Sequence, residues 1–266
     1  MYVPRAFLRS LIYRVSPQWY RFLESLWLYN SRLRHEHLIR QLVARHGLVV
    51  QSGPFAGMVY VPHAVCSALM PKLLGSYEEE IRDSMMRLLD DSRPYENVVD
   101  IGCAEGYYAV GLALRLTDIR VYAFDTDALA QQWCRDLARA NGVSDRVIVA
   151  GECDLEQLRT LTQKRSLVIC DCEGCELDLL QPEFVPGLRT ADIVVELHDF
   201  IEPSISRTIQ SRFADSHDIA LISSVERSAV DYPMLHHLDD KDQRLALAEF
   251  RPETMQWALM TSRSGR

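Results

Sequence analysis

Apolar and polar positions follow different patterns before and after about residue 95. After it, short apolar runs alternate with helical spacings, which predict helices from Gly106, over 128–141, over 155–163, before Pro182 and over 203–214. The apolar runs are ENVVDI, RVYAF, RVIVA, SLVIC, DIVVEL, DIALIS and MQWALM. Strands that alternate with helices form βαβ units with parallel pairing and right-handed crossovers. Residues 95–266 are therefore predicted to form an α/β domain with a doubly wound, mostly parallel sheet.

Residues 1–94 predict an α-helical N-terminal extension. Ser16-Pro17 is typical of a helix start, and a break follows near Gly47. Apolar side chains recur between them at helical spacing, namely Trp19, Phe22, Leu23, Leu26 and Trp27. The runs LVVQS and GMVYV around the turn-rich GPFAG predict a short β-hairpin near 48–62. Ser76 and Glu79 form a capping-box pattern, which predicts a helix from about residue 77.

Charge is distributed unevenly along the chain. The formal net charge is -8, but residues 1–46 hold eight arginines and two glutamates, or +6, which leaves -14 for the remainder. This acidic balance argues against nucleic acid as a partner, because phosphate binding needs clustered lysine and arginine. Two interpretations of residues 1–46 stay open. They pack on their own domain or on a second copy in a homodimer, or they dock on a membrane surface or a partner.

Composition also bears on location. The chain holds seven cysteines, most of them isolated in apolar segments, and shows neither a signal-peptide pattern nor a long apolar run. We expect a reduced, cytoplasmic protein without a transmembrane segment. Cys170, Cys172 and Cys175 form a C-x-C-x-x-C pattern, but no second cysteine pair completes a zinc or iron–sulfur site. They are interpreted as small apolar filler beside the cofactor.

The turn after the first predicted strand is a candidate cofactor site. In doubly wound sheets, ligands bind beyond the carboxyl ends of the strands. The first strand ends in VVDIGCAEGYY, which brings Asp100, Gly102, Cys103 and Gly106 to the start of a helix. Glycines at such a turn let the backbone approach a ligand closely. The spacing is G-x-x-x-G, so the dinucleotide fingerprint G-x-G-x-x-G is absent.

Acidic residues at the strand ends indicate which cofactor binds. Asp100 and Glu105 would repel the pyrophosphate of NAD, whereas S-adenosylmethionine carries an ammonium and a sulfonium group. Asp125 follows the second strand and is predicted to accept hydrogen bonds from the ribose hydroxyls. Glu152, followed by Cys153, comes after the third strand and is predicted to accept from the adenine amino group. The sequence thus favours S-adenosylmethionine.

Four segments resemble the FkbM-like family of class I methyltransferases. They are GSYEEEI, VVDIGCAEGYYAVGLA, VICDCEGCELDLL and DIVVELHDF, and they span roughly residues 72–200. The D-x-E-G-x-E element from Asp171 to Glu176 is the most specific of these features. The resemblance implies a seven-stranded sheet with one antiparallel strand and methyl transfer, commonly to a hydroxyl. It also implies the cofactor roles already argued for Asp100, Gly102, Gly106 and Asp125, although the family often has glutamate followed by proline at position 125.

A second group of polar residues follows the next two strands. Asp171 ends one strand, and Glu196 and His198 end the next, which should be its neighbour in the sheet. His198 is the candidate general base for a hydroxyl acceptor, with Asp171 and Glu196 also handling the acceptor. Alternatively, these three residues bind Mg²⁺ or Mn²⁺. Helix-dipole stabilisation would account for Asp171, Glu173 and Glu176, but not for Glu196.

These observations predict an S-adenosylmethionine-dependent O-methyltransferase that acts on a glycan unit or another small hydroxylated metabolite. Residues 226–252, which include His236 and His237, interrupt the last two strands and are predicted to form a lid, with Arg251 as a candidate lining residue. Two alternatives stay open. One is an N-methyltransferase acting on a small amine, and the other is a non-catalytic protein that docks through its basic N-terminal helix.

Overall fold

A computed structural model describes residues 17–65, 67–90, 94–251 and 253–264, with only the backbone for residues 17–30. The helices are α1 (Pro17–His46), α2 (Leu69–Leu74), α3 (Glu79–Leu89), α4 (Tyr107–Arg115), α5 (Ala128–Ala140), α6 (Leu155–Leu161), α7 (Glu176–Leu179), α8 (Ile205–Phe213) and α9 (Asp240–Ala246). The strands are β1 (Asn97–Ile101), β2 (Arg120–Phe124), β3 (Val147–Ala150), β4 (Ser166–Cys170), β5 (Asp192–Leu197), β6 (His217–Ser223) and β7 (Gln256–Ser262). Short 3₁₀ turns lie at Pro186–Arg189, Ala229–Asp231 and Pro233–Leu235.

The seven strands form one sheet in the order β3-β2-β1-β4-β5-β7-β6. Strands β1 to β5 pair in parallel, and β7 runs antiparallel to both β5 and β6. The chain therefore starts at the centre of the sheet, builds outward to β3, and then returns to build the other half through β4. This order confirms the predicted doubly wound, mostly parallel sheet, with the one antiparallel strand that the resemblance implies.

Two hydrophobic layers cover the faces of this sheet. Neighbouring residues such as Val98 and Val99 are both fully buried but belong to different layers, because successive side chains of a strand point to opposite faces. Sheets covered by helices on both sides need apolar residues at every strand position. This requirement explains why the strands read as continuous apolar runs in the sequence.

The N-terminal helix packs partly on its own domain. Leu38 and Leu42 of α1 are buried in the same core layer as Val98, and α1 contacts α9. Arg34 of α1 pairs with Asp242 of α9. The predicted apolar face of residues 19–27 and the predicted start at Ser16 lie outside the described side chains. Within residues 31–46, at least, the helix is an integral part of the core.

Two local predictions in the N-terminal part have different outcomes. The segments of the predicted hairpin at 48–62 pair antiparallel through the Val49–Val59 bridge and the amides of Val50 and Tyr60, but the pairing is too short to form strands. Ser76 does not cap α3, because the helix starts at Glu79 after Glu78 in a left-handed conformation (φ 48°), and no side chain caps it. Ser76 instead donates from its hydroxyl to the carbonyl oxygen of Pro71. Among the described residues, no helix is both long and apolar enough to cross a bilayer.

Candidate active site at the carboxyl edge of the sheet

A cavity of about 660 Å³ lies at the carboxyl ends of the parallel strands. Its walls include the residues that directly follow β1, β2, β3, β4 and β5. All the candidate cofactor and acceptor residues except Gly106 line this one cavity, namely Asp100, Gly102, Cys103, Asp125, Glu152, Cys153, Asp171, Glu196 and His198. Asp100 and Asp125 therefore face a common space, as a shared cofactor site requires.

Gly102 lets two neighbouring loops cross at close range. Its φ is +83°, and a Cβ there would lie 1.6 Å from the carbonyl oxygen of Asp171. The amide of Asp171 donates to the carbonyl of Ile101 at 2.8 Å, so the loops after β1 and β4 are joined directly. Glycine is needed here both for its conformation and for the absence of a side chain. The crossing thus places Gly102 and Asp171 side by side in the cavity wall.

Asp100 is buried, and its ionisation is strongly affected. Burial first, and then the charge of Asp171, raises the pKa of Asp100 to about 8. Its Oδ2 atom has no hydrogen-bond partner among the described residues. A buried polar atom without a partner is unusual and often marks a ligand site. Asp100 is thus suited to accept a hydrogen bond from a cationic group in the cavity.

Asp125 shapes the loop after β1 as well as lining the cavity. Its Oδ2 accepts from the amide of Ala104 at 2.8 Å, and its Oδ1 accepts from the amide of Asp127 at 2.8 Å. Each carboxylate oxygen can accept more than one hydrogen bond. Asp125 can therefore hold the loop and still accept from a ligand. Glu152 and Cys153 also line the cavity, and Glu152 is exposed whereas Cys153 is buried.

Two residues of the β1–α4 turn differ from expectation. Gly106 does not line the cavity: a Cβ there would lie 2.7 Å from the Cys134 sulfur, so this glycine allows close packing against α5. Glu105 is fully buried and bonds to Lys72 Nζ at 2.5 Å and to the hydroxyl of Tyr60 at 2.6 Å. Its charge is compensated internally. The expected repulsion of a pyrophosphate by Glu105 is therefore wrong, because a paired buried charge exerts little field on a ligand.

Asp171, Glu196 and His198, the candidate acceptor residues, come together in the wall of the cavity. One ligand atom from each lies within 4.8 Å of the others. Nε2 of His198 is 3.5 Å from Asp171 Oδ1 and 4.0 Å from Glu196 Oε2. Nδ1 of His198 contacts Glu176 Oε1 on the opposite side of the ring. The predicted proximity of these residues follows from the parallel pairing of β4 with β5.

Burial and mutual contact shift the pKa values of Asp171, Glu196 and His198. Burial, followed by the charge of Asp171, raises the pKa of Glu196, while Arg251 opposes this shift. Burial also raises the pKa of Asp171. For His198, burial lowers the pKa, but the hydrogen bond to Glu176 and the nearby carboxylates outweigh it, so the net shift is upward. Asp171 and Glu196 thus compete for one proton at this position, as close carboxylates do.

Arg251 links Glu196 to residues that are distant in the sequence. Its guanidinium donates to Glu196, to Glu78 at 3.0 Å and to Glu249 at 2.7 Å. Arg251 and Glu249 come from the segment before β7, and Glu78 comes from the N-terminal extension. The predicted lining role of Arg251 agrees with its position in the cavity wall. Glu78 was not a candidate, because no local pattern indicates a contact over 173 residues.

The interpretation of all three clustered cysteines as apolar filler is wrong. Cys172 and Cys175 form a disulfide, with both residues partly exposed at the cavity wall. Cys170 is a buried free thiol whose sulfur lies 3.6 Å from that of Cys172. The disulfide closes the loop that carries Glu173, which adopts a positive φ of 54°. It therefore restrains the loop between Asp171 and Glu176.

Comparison with known proteins gives limited matches. No protein-family model matches the chain. Over 133 residues it is 31% identical to the release factor glutamine methyltransferase of Chlorobaculum tepidum, and this alignment covers 49% of the chain and 42% of that protein. The chain thus matches less than half the length of this curated relative.

Solved structures with a similar arrangement include several methyltransferases. The O-methyltransferase TomG of Streptomyces achromogenes, in complex with SAM, is 18% identical, with 76% of this chain and 83% of that chain covered at a TM-score of 0.45. The O-methyltransferase of Bacillus cereus, in complex with SAH, is 14% identical, with 69% and 90% covered at a TM-score of 0.42.

Proposed function

We propose that this protein is an S-adenosylmethionine-dependent methyltransferase that methylates a hydroxyl of a glycan unit or another small hydroxylated metabolite. The observation that carries the proposal is a single cavity lined both by Asp100 and Asp125, which we assign to the cofactor, and by Asp171, Glu196 and His198, which we assign to the acceptor. Methyl transfer needs donor and acceptor in one enclosed space, aligned for in-line displacement. The partial match to a known methyltransferase supports the same activity. The D-x-E-G-x-E element favours the FkbM-like family within this class.

The cofactor end fits S-adenosylmethionine chemically. The unpartnered Oδ2 of Asp100 is a buried acceptor, which suits the ammonium of the amino acid part. Asp125 would accept from the ribose hydroxyls, and Glu152 from the adenine amino group. Gly102 and Cys103 would pass close to the cofactor, and Cys153 would pack beside it. When bound, the cofactor supplies the electrophilic methyl group on its sulfonium.

Calorimetry tests the cofactor assignment. We expect S-adenosylmethionine and its demethylated product to bind, and Asp125→Asn to weaken both by about 10-fold or more, since hydrogen bonds to charged groups contribute about 1.5 to 3 kcal/mol. Asp118→Asn is a matched control, because Asp118 is exposed, does not line the cavity and precedes the amino end of β2, whereas the cavity lies at the carboxyl ends of the strands. No heat of binding for either ligand would exclude the proposed activity.

At the acceptor end, His198 would remove the hydroxyl proton as methyl transfer proceeds. Its Nε2 is the ring nitrogen nearest Asp171 and Glu196, and it must be unprotonated to act as a base. Glu196→Gln and His198→Ala should reduce turnover by about 10²-fold or more while cofactor affinity stays within a few fold. Equal losses of affinity and turnover would contradict this division of roles.

The same three side chains could hold Mg²⁺ or Mn²⁺. Two carboxylates and an imidazole are an appropriate donor set for these ions, and their ligand atoms lie within 4.8 Å of one another. A bound divalent ion would lower the pKa of the acceptor hydroxyl. A chelator should then abolish turnover, and added Mg²⁺ or Mn²⁺ should restore it. Activity that is indifferent to both treatments would leave His198 as the base and exclude the ion.

N-methylation is a second candidate. Glu173 is largely exposed and lies 3.7 Å from His198 Nε2, so Asp171, Glu173 and Glu196 could together bind a protonated amine. A protonated amine must first lose one proton to free its lone pair. It can then attack the methyl group without the help of a strong base. Matched pairs of acceptors that differ only in a hydroxyl or an amine would distinguish the two reactions. Methylation of the amine alone would exclude O-methylation.

We also propose roles for the regions around the domain. Residues 226–252 would act as a lid, since Glu249, Phe250 and Arg251 from this segment line the cavity.

Residues 1–46 would complete the fold, contact a second copy, or dock on a membrane surface or partner. Deleting 1–46 removes the buried Leu38 and Leu42, so insolubility is the expected result. Deleting 1–30 keeps both residues and is the cleaner test of docking, with vesicle sedimentation as the assay. We further expect a cytoplasmic location, whereas the Cys172–Cys175 disulfide contradicts the expectation of a fully reduced chain.

A further inference from the structure

Glu176 forms a buried pair with His198 that the sequence pattern does not indicate. Glu176 begins α7 after β4, and His198 follows β5, so the pairing of these two strands brings them together. The exposed fraction of Glu176 is 0%, and that of His198 is 2%. Oε1 of Glu176 contacts Nδ1 of the His198 ring. The two side chains are thus in direct contact and sheltered from water.

Only one hydrogen-bond arrangement satisfies an ionised glutamate here. A carboxylate can only accept, so the hydrogen of a neutral imidazole must lie on Nδ1 for this contact to form. Nε2 then carries the lone pair. That atom lies on the other side of the ring, 3.5 Å from Asp171 Oδ1, and the ring lines the cavity. The contact therefore selects which nitrogen is available to a ligand.

Stability alone does not account for Glu176. Its Oε2 atom is buried without a hydrogen-bond partner in the described part of the chain. Oε1 accepts one further hydrogen bond, from the Gly174 amide at 3.3 Å. Leaving a buried charged group partly unsatisfied is costly. Stabilisation by the dipole of α7 is a weak alternative, because that helix has only four residues.

We propose that Glu176 is a positioning residue that holds neutral His198 in the Nδ1–H tautomer and directs the Nε2 lone pair into the cavity. Its consequence for turnover rests on the proposed methyl transfer, but the tautomer itself does not. An oriented imidazole serves equally as a proton acceptor or as a ligand to a divalent ion. Carboxylate partners of this kind fix the ring in both types of site.

Nitrogen NMR of histidine-labelled protein tests the proposal directly. Spectra recorded where His198 is neutral should show a protonated Nδ1 in the wild-type protein. In Glu176→Gln, the side-chain amide can donate to Nδ1, so the protonated nitrogen should change to Nε2. Glu176→Asp keeps an acceptor and should keep the wild-type tautomer. Glu173→Gln is the matched control, because Glu173 is 62% exposed and contacts Nε2 at 3.7 Å rather than Nδ1.

Kinetics provide a second measurement. We expect kcat of Glu176→Gln to fall by about 10²-fold or more, with the acceptor KM within about threefold, since a wrong histidine tautomer disables a base without removing substrate contacts. Glu176→Asp should recover part of that loss. Glu183→Gln, at an exposed glutamate outside the cavity lining, should stay within about threefold.

The role of Glu176 and the proposed methyl transfer can be refuted separately. A wild-type protein with hydrogen on Nε2 would overturn the proposal, even if Glu176→Gln does not fold. An unchanged tautomer in a folded Glu176→Gln would do the same, as would equal losses of kcat in Glu183→Gln and Glu176→Gln. If the wild-type protein binds no S-adenosylmethionine, the proposed function fails, whereas the NMR result still decides the role of Glu176.

Discussion

Replacing Gly102 with alanine should destabilise the protein through a backbone clash in the cavity wall. The added Cβ would lie 1.6 Å from the carbonyl oxygen of Asp171 and 2.6 Å from its carbonyl carbon. Both atoms belong to the main chain and cannot rotate away as a flexible side chain could. To reach even 3.0 Å, the loops after β1 and β4 would have to separate by about 1.4 Å.

Two contributions set the size of this effect. The left-handed conformation (φ +83°) costs an alanine about 1 to 2 kcal/mol. Inserting a methyl group into a packed region costs about 1 to 3 kcal/mol more. We therefore expect Gly102→Ala to lower the free energy of unfolding by about 2 to 5 kcal/mol. Gly142 provides the control, because its φ is +68° and a Cβ there would meet nothing within 4 Å. Gly142→Ala should cost only the conformational part, about 1 to 2 kcal/mol.

Urea denaturation followed by circular dichroism measures both variants against the wild-type protein. The difference between the two isolates the clash, since both share the cost of a positive φ. We expect Gly102→Ala to exceed Gly142→Ala by at least about 1 kcal/mol, and to lose affinity for S-adenosylmethionine when folded. Destabilisation of the two variants by the same amount would show that the loops do not cross as described.

Three further predictions concern charge and the disulfide. Binding of S-adenosylmethionine near pH 7 should release close to one proton, because Asp100 has a pKa of about 8 in the ligand-free protein and must ionise to pair with an ammonium. Calorimetry in buffers of different ionisation enthalpy measures the number of protons released. Asp100→Asn should abolish this release. Lys72→Met should lower the free energy of unfolding by about 3 to 5 kcal/mol, because it leaves Glu105 buried without a counter-charge, and urea denaturation measures it. Reduction of Cys172–Cys175 should lower turnover several-fold and affect cofactor affinity less, since the disulfide restrains the loop between Asp171 and Glu176. A double serine variant that is insensitive to dithiothreitol is the control.

The sheet could be predicted from the sequence because its strands are buried on both faces. Each run of about five apolar residues corresponds to one strand, and the predicted bounds agree with the observed ones to within two residues. The same reasoning brought Asp100, Asp125 and Asp171 to one edge, since parallel strands end on the same side. These predictions depend on local patterns and on general rules of topology, and both are readable without coordinates.

Contacts between distant segments could not be predicted in this way. Arg251 and Glu196 are 55 residues apart, and Lys72 and Glu105 are 33 apart. Each side chain taken alone looks like a solvated surface charge. Only the packing of the N-terminal extension and the segment before β7 against the sheet brings them together. For the same reason, the capping box at Ser76 failed: tertiary contacts of Glu78 set the start of α3.

The structure changes the electrostatic argument for the cofactor. Counted along the sequence, Asp100 and Glu105 are two negative charges beside the ligand. In the folded protein, Glu105 is neutralised by Lys72, and burial keeps most of Asp100 protonated near pH 7. A neutral carboxyl does not repel an anion strongly. Selectivity between a cationic and an anionic cofactor must therefore come from the interaction of Asp100 with the bound ligand. A cationic ligand stabilises ionised Asp100, whereas an anionic one gains nothing from it. Discrimination between cofactors would therefore depend on the proton of the Asp100 carboxyl, which is released when a cationic ligand binds and is retained when an anionic ligand binds.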